Sequence, residues 1–195
     1  MTHPQGVLAA VEAAYHQHFE IEPARASVSF VGVDPIEILR YDEIVEDDRL
    51  EHLVSLGMSS YPMVDPSQTV VDSATAPRAE LMMSVRPGAP DLWRQLAVLA
   101  AAPAVEGAVY SDGNRIDLGQ PIAAGSRCAG GVLVPSPLLP IAVSGLPDVV
   151  VFRVVPATPE EIAWARIKGS EALRERWAET GTDLTNLGRG SVRLD

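Results

Sequence analysis

At 195 residues, 47% apolar and 21% charged, the chain fits one globular domain that needs no disulfide or metal to close its core. A formal net charge of −11 argues against a nucleic-acid partner, because no window gathers more than a few Lys or Arg without interleaved acids. The longest apolar runs, 96–105 and 149–155, fall far short of the roughly 20 residues of a membrane-spanning helix.

No N-terminal stretch has the make-up of a signal peptide. With a single cysteine, Cys128, the expected compartment is a reducing cytoplasm. Residues 5–19 place Val7, Leu8, Val11, Ala14, Tyr15 and His18 on one stripe at three- and four-residue spacing, which predicts a helix that Pro23 stops. Residues 26–33 alternate as a strand, and Asp34-Pro35 turns the chain into a second strand near 36–41.

Between Asp34 and Glu51 the chain collects eight acids against Arg40 and Arg49. Its centre, with Asp42, Glu43, Glu46, Asp47 and Asp48, reads as a solvated acidic loop, since so many carboxylates cannot pack inward unpaired. His52-Leu53-Val54-Ser55-Leu56 is a short buried strand running into Gly57-Met58-Ser59. Residues 60–77, rich in Pro, Asp, Ser and Thr, form a long irregular excursion, and 79–85 resume as a strand.

A helix over 91–102 carries Leu92, Leu96, Leu99 and Ala100 on one stripe and is expected to end at Pro103. After a turn at 111–114, extended pieces at 116–118, 131–134 and 148–155 follow. Thr158-Pro159-Glu160-Glu161 is a helix start, with a capping hydroxyl, proline in the first turn and glutamate three residues on. Lys168-Gly169 is a point of interruption and Gly181 a stop. The domain is therefore expected over 1–181, with 182–195 a loosely ordered tail. Strands in a run, then helices, with no repeated βαβ unit, predict an α+β fold: a mixed or antiparallel sheet with packed helices.

No arrangement of residues supports catalysis or a cofactor. His16 and His18, two apart on a helix, point about 200° away from each other and cannot share a metal ion. Ser55 and Ser59 lack the Gly-x-Ser-x-Gly elbow. The glycine clusters lack phosphate-loop order, and the acidic cluster lacks a calcium-loop frame. Cys128, between Arg127 and Ala129-Gly130-Gly131, reads as a small packed hydrophobe.

The stretch His52-Leu53-Val54-Ser55-Leu56-Gly57-Met58-Ser59-Ser60-Tyr61-Pro62-Met63 resembles a signature of the suppressor-of-fused-like family. The downstream order is similar too: Ala79-Glu80-Leu81-Met82-Met83, Trp93 with Leu96 and Leu99, Asp112-Gly113, Gly119-Gln120-Pro121, Gly131-Val132-Leu133-Val134-Pro135, and a strand leading into Thr158-Pro159-Glu160-Glu161. The turn at 86–90 is longer than in relatives, and 195 residues leave no room for the second domain of the animal protein.

The resemblance implies a single α+β binding domain of the bacterial type, without enzymatic activity or cofactor, with an immunity protein that neutralises a toxin as its expected role. The acidic loop would steer it onto a basic protein partner. Gly57 is expected to serve a tight turn, Met58 and Met63 to pack, and Glu80 to pair with a buried cation such as Arg78 or Arg94. Together with Ser59, Pro62 and Trp93, these residues are expected to define the fold. Two rival readings stand beside this: an enzyme with an unfamiliar site under the 60–77 excursion, and a structural homo-oligomer subunit.

Overall fold

The computed structural model describes residues 4–45, 48–65, 67, 72 and 74–195. Helix α1 (Pro4–Phe19) precedes strands β1 (Ala24–Phe30), β2 (Val33–Val45) and β3 (Asp48–Leu56), a 3-10 turn (Met58–Ser60) and β4 (Arg78–Val85). Then come α2 (Leu92–Glu106), β5 (Arg115–Asp117), β6 (Gly130–Pro135), β7 (Val149–Ala157), α3 (Pro159–Lys168) and α4 (Ser170–Glu179). The strands form one sheet in the order β1-β2-β3-β4-β7-β6-β5. All neighbours are antiparallel except β4 with β7. The result is the mixed α+β fold expected from the run of elements.

Alternation along the strands sorts apolar side chains onto two faces. Ile36, Ile38, Leu81, Met83, Leu133 and Val154 meet Leu92, Leu96 and Ala100 of α2. On the opposite face, Leu39, Tyr41, Val54, Met82, Val149 and Val151 meet Val7, Val11 and Tyr15 of α1. Further along that second face, Val132, Val155 and Ala157 lie beneath Ile162, Leu173 and Trp177 of α3 and α4. Gly130 lets β5 pair closely with β6, since a Cβ there would stand 2.0 Å from the Ile116 carbonyl oxygen.

Two boundaries differ from expectation. Helix α2 runs through Pro103 to Glu106 and closes on Gly107 in the left-handed conformation, φ 70. Proline removes the amide that would have bonded Leu99 O. The Tyr110 hydroxyl supplies the missing donor, 2.9 Å from that carbonyl, so the helix continues.

Residues 182–195 carry no helix or strand, yet they do not form the expected loose tail. Glu161, the capping residue of α3, is fully buried. Arg189 places Nη1 and Nη2 2.6 and 2.8 Å from its two carboxylate oxygens. The Val192 amide (2.9 Å), Trp177 Nε1 (3.1 Å) and the Thr158 amide (2.9 Å) donate to the same group. A buried carboxylate needs a cation and filled lone pairs, and the end of the chain provides them. No helix among the described residues is long and apolar enough to cross a membrane.

Candidate functional site

The motif residues converge on one carboxylate. Glu80, on β4, is fully buried and accepts from Ser55 Oγ at 2.5 Å, the Gly57 amide at 3.0 Å, the Ser59 amide at 2.9 Å and Ser59 Oγ at 2.6 Å. Gly57, at φ 137, makes the turn that aims both amides inward, and a Cβ there would crowd the Pro35 carbonyl oxygen at 3.2 Å. Burial pushes the Glu80 carboxyl above its ordinary value, and the four hydrogen bonds oppose that rise.

The expected cation does not reach Glu80. Arg78 donates instead to the carbonyls of Ser59 and Ser60, at 2.7 and 2.9 Å, and Arg94 pairs on the surface with Asp91 at 3.2 Å. Two hydroxyls and two amides take the place of a guanidinium because the chain reverses tightly around the carboxylate. Met58 and Met63 are buried in the α2-side core, with Trp93 half-buried against it. Pro62 is half-buried beside them. The Met63 amide bonds Pro77 O at 2.8 Å, which closes the base of the 60–77 excursion.

The acidic segment is a hairpin, not a loop. β2 and β3 stay paired out to Val45 and Asp48, whereas β1 pairs with β2 only as far as Arg40 and β4 with β3 only as far as Glu51. Beyond those limits the two strands form a projecting ribbon. Residues of good strand propensity (Tyr41, Ile44, Leu50) favour the extended pairing.

Its described acids Asp42, Glu43 and Asp48 are exposed, and each is engaged. Asp42 lies 3.3 Å from Arg49 and 3.7 Å from Arg40. Asp48 lies 3.2 Å from Arg86, and Glu43 Oε2 lies 2.9 Å from His52 Nε2. Glu46 and Asp47 fall outside the described residues. Ile44, among these acids, is 78% exposed.

His52 is a site residue that sequence reasoning missed. Directly across from Ser84 in the β3–β4 pairing, it bonds Ser84 Oγ through Nδ1 at 2.9 Å and Glu43 through Nε2. Burial lowers its pKa and keeps the ring neutral, against the pull of Glu43. A hydroxyl, imidazole and carboxylate in a row invite a hydrolase reading. However, Ser84 sits on flat strand, not on the sharp turn that exposes a nucleophile beside free amides. The row fastens the base of the ribbon to the sheet.

The remaining candidates lie apart. His16 pairs with Glu12 at 3.8 Å, and His18 stands edge-on to Phe19 at 4.8 Å. Cys128 is fully buried, and burial pushes its thiol up. No three His, Cys, Asp or Glu among the described residues are grouped to hold a metal.

A family model described as "Suppressor of fused protein (SUFU)" matches residues 32–190. The chain belongs to the suppressor of fused family. Its fold is similar to that of a suppressor-of-fused homolog from Neisseria gonorrhoeae, with a TM-score of 0.67 and 16% identity over 99% of this chain and 98% of that one. A structure of the Sufu–Fu complex gives a TM-score of 0.73 and 14% identity over 95% and 91% of the two chains. Drosophila Suppressor of Fused gives 0.73 and 14%, covering 96% of this chain and 51% of that one. No curated protein matches the chain. The Glu80 cluster, the ribbon and the buried Glu161–Arg189 pair all lie within the matched span of this suppressor of fused domain.

Proposed function

We propose that this domain acts by binding another protein, without catalysis or cofactor, and that the β2–β3 ribbon is the contact. The ribbon carries the reading: a two-stranded arm, free of a third strand on either side, presents Ile44 amid five acids and one arginine over residues 42–50. An apolar tip inside an acidic field suits a partner with a basic surface, since charge speeds and orients encounter while the buried tip holds the complex. Exposed ion pairs contribute little energy and leave the net charge in place, so Arg40, Arg49 and Arg86 shape the arm without neutralising it. Family membership supports the same reading, because a relative was crystallised as a Sufu–Fu complex. Neutralising a basic toxin in the bacterial cytoplasm is the specific role we assign, and the Glu80 motif builds the frame that holds the arm.

The test is capture from native lysate with the wild-type chain and with a variant carrying Asp42→Asn, Glu43→Gln, Ile44→Ser and Asp48→Asn, followed by reconstitution with the recovered partner. Wild type is expected to retain a basic protein with an affinity that falls as salt rises, and the variant to lose it. A reconstituted complex indifferent to these four changes and to salt would remove the ribbon as the contact.

A further inference from the structure

The α1-bearing face of the sheet is covered at both ends and open in the middle. Along β7, Val149 and Val151 lie under α1, Val155 and Ala157 under α3 and α4, and Arg153 falls between them on the same face. It stands in register with Met82 of β4 and Val134 of β6. Two adjoining cavities share it. One, about 400 Å³, has an apolar wall from Phe19, Ile21, Leu50, Met82 and Pro137 and a polar one from His18, Glu43, His52, Ser84 and Thr185. The other, about 320 Å³, is walled by Val134, Val155, Trp177 and Leu184.

Arg153 is half-buried and makes no hydrogen bond or ion pair among the described residues. The other arginines withdrawn from solvent are all engaged: Arg78 with two carbonyls, Arg174 with Asp112 and Glu171, Arg176 with Glu179, and Arg189 with Glu161. A guanidinium taken partly out of water without a partner carries an uncompensated desolvation cost. Its five donors are free to face the cavity.

We propose that Arg153 anchors a site for a small organic carboxylate with an apolar body. One free guanidinium beside apolar walls matches one carboxylate through two parallel N–H···O bonds. The combined space is that of an ordinary small-molecule site, about 300–1,000 Å³. Phosphate is a poorer fit, because no second free arginine or lysine lines either cavity: Arg174 is held by two acids, and of the two histidines His52 is engaged through both nitrogens and His18 packs edge-on against Phe19. Glu43, whose carboxylate is turned to His52, sits on the rim and disfavours a second negative group. The site shares Glu43 and Leu50 with the ribbon, but its anchor, Arg153, lies on β7.

The test uses the whole chain with 4-phenylbutyrate and octanoate as probes, 4-phenylbutanol as the uncharged match and inorganic phosphate as the plain anion, read by calorimetry and backbone amide shifts. Both carboxylates are expected to bind and to move the amides of Met82, Ser84, Val134 and Arg153. The alcohol is expected to bind about tenfold more weakly or worse, the loss of one charge-assisted contact. Arg153→Met, which keeps the apolar stem and removes the charge, should lose carboxylate affinity by a similar factor while melting no lower than wild type. Equal binding by the alcohol, equal competition by phosphate, undiminished binding by Arg153→Met, or no binding of either carboxylate at millimolar concentration would each overturn the site.

Discussion

Replacing Glu80 by alanine tests the role of the motif most directly. Four donors lose their acceptor. Of these, the hydroxyls can turn elsewhere, and Ser55 Oγ keeps its bond from the Leu81 amide at 2.9 Å. The Gly57 and Ser59 amides cannot turn, because the reversal fixes them in a buried shell. Each buried amide left without a partner costs about 1–3 kcal/mol, and relief from burying a carboxylate returns part of that. A net loss of about 3 kcal/mol is expected, which for a chain of this length lowers the melting temperature by about 6–12 °C.

Glu80→Gln keeps an oxygen for the amides and is expected to lose only about 1 kcal/mol. The two also differ in pH dependence. A carboxyl raised above its ordinary 4.5 by burial holds its proton longer in the folded state. Its contribution is therefore largest below 4.5 and declines as pH rises through the folded value. Wild type should show that decline and Glu80→Gln should not. Urea titrations followed by circular dichroism across pH 4 to 8 measure both. Full stability in Glu80→Ala, or equal losses in the two variants, would refute the claim that the carboxylate organises the turn.

Two further substitutions probe the other departures from expectation. Arg189→Ala strands a buried carboxylate and is expected to cost about 3–5 kcal/mol, with protease cleavage appearing in 182–195. Glu161 is held below its ordinary 4.5 by Arg189 and its other donors, which outweigh burial, so wild type draws stability from it above pH 4.5 and loses that stability as pH falls through the depressed value. The variant's acid limb should be flatter. Tyr110→Phe leaves the Leu99 carbonyl without its donor and should cost about 1–2 kcal/mol in a thermal melt, whereas the double variant Tyr110→Phe, Pro103→Ala should recover most of it, because the restored amide bonds that carbonyl.

Elements driven by local chemistry were legible in the sequence: the apolar stripe of α1, the Thr158–Glu161 cap, the glycine that breaks α3 from α4. Features set by distant partners were not. Pro103 reads locally as a stop, and only Tyr110 O–H, seven residues on, shows why the helix continues. The tail reads as loose because its anchors are distant in sequence: Arg189 bonds Glu161, 28 residues back, and Asp183 pairs with Arg86. The acids of 42–48 look like a solvated loop because their partners, Arg86 just past β4 and the neutral His52 on β3, are brought in by a pairing the sequence does not state.

Arg153 shows the same limit from the other side. In Val149–Ala157 it is the only charged residue, and that oddity was visible in the chain. What it meant was not, because a lone withdrawn arginine can equally face an acid from another element, as Arg189 of the tail faces Glu161. The difference lies in register. Met82 and Val134, the residues on either side of Arg153 across the sheet, are both apolar, and the helices that cover this face stop short of it. A charge so placed has to find its counter-ion outside the chain or remain unpaired, and the stability of Arg153→Met distinguishes a residue kept for binding from one kept for the fold. If the arginine serves the fold, its removal destabilises; if it serves a ligand, removal relieves an uncompensated burial and the melting temperature holds or rises.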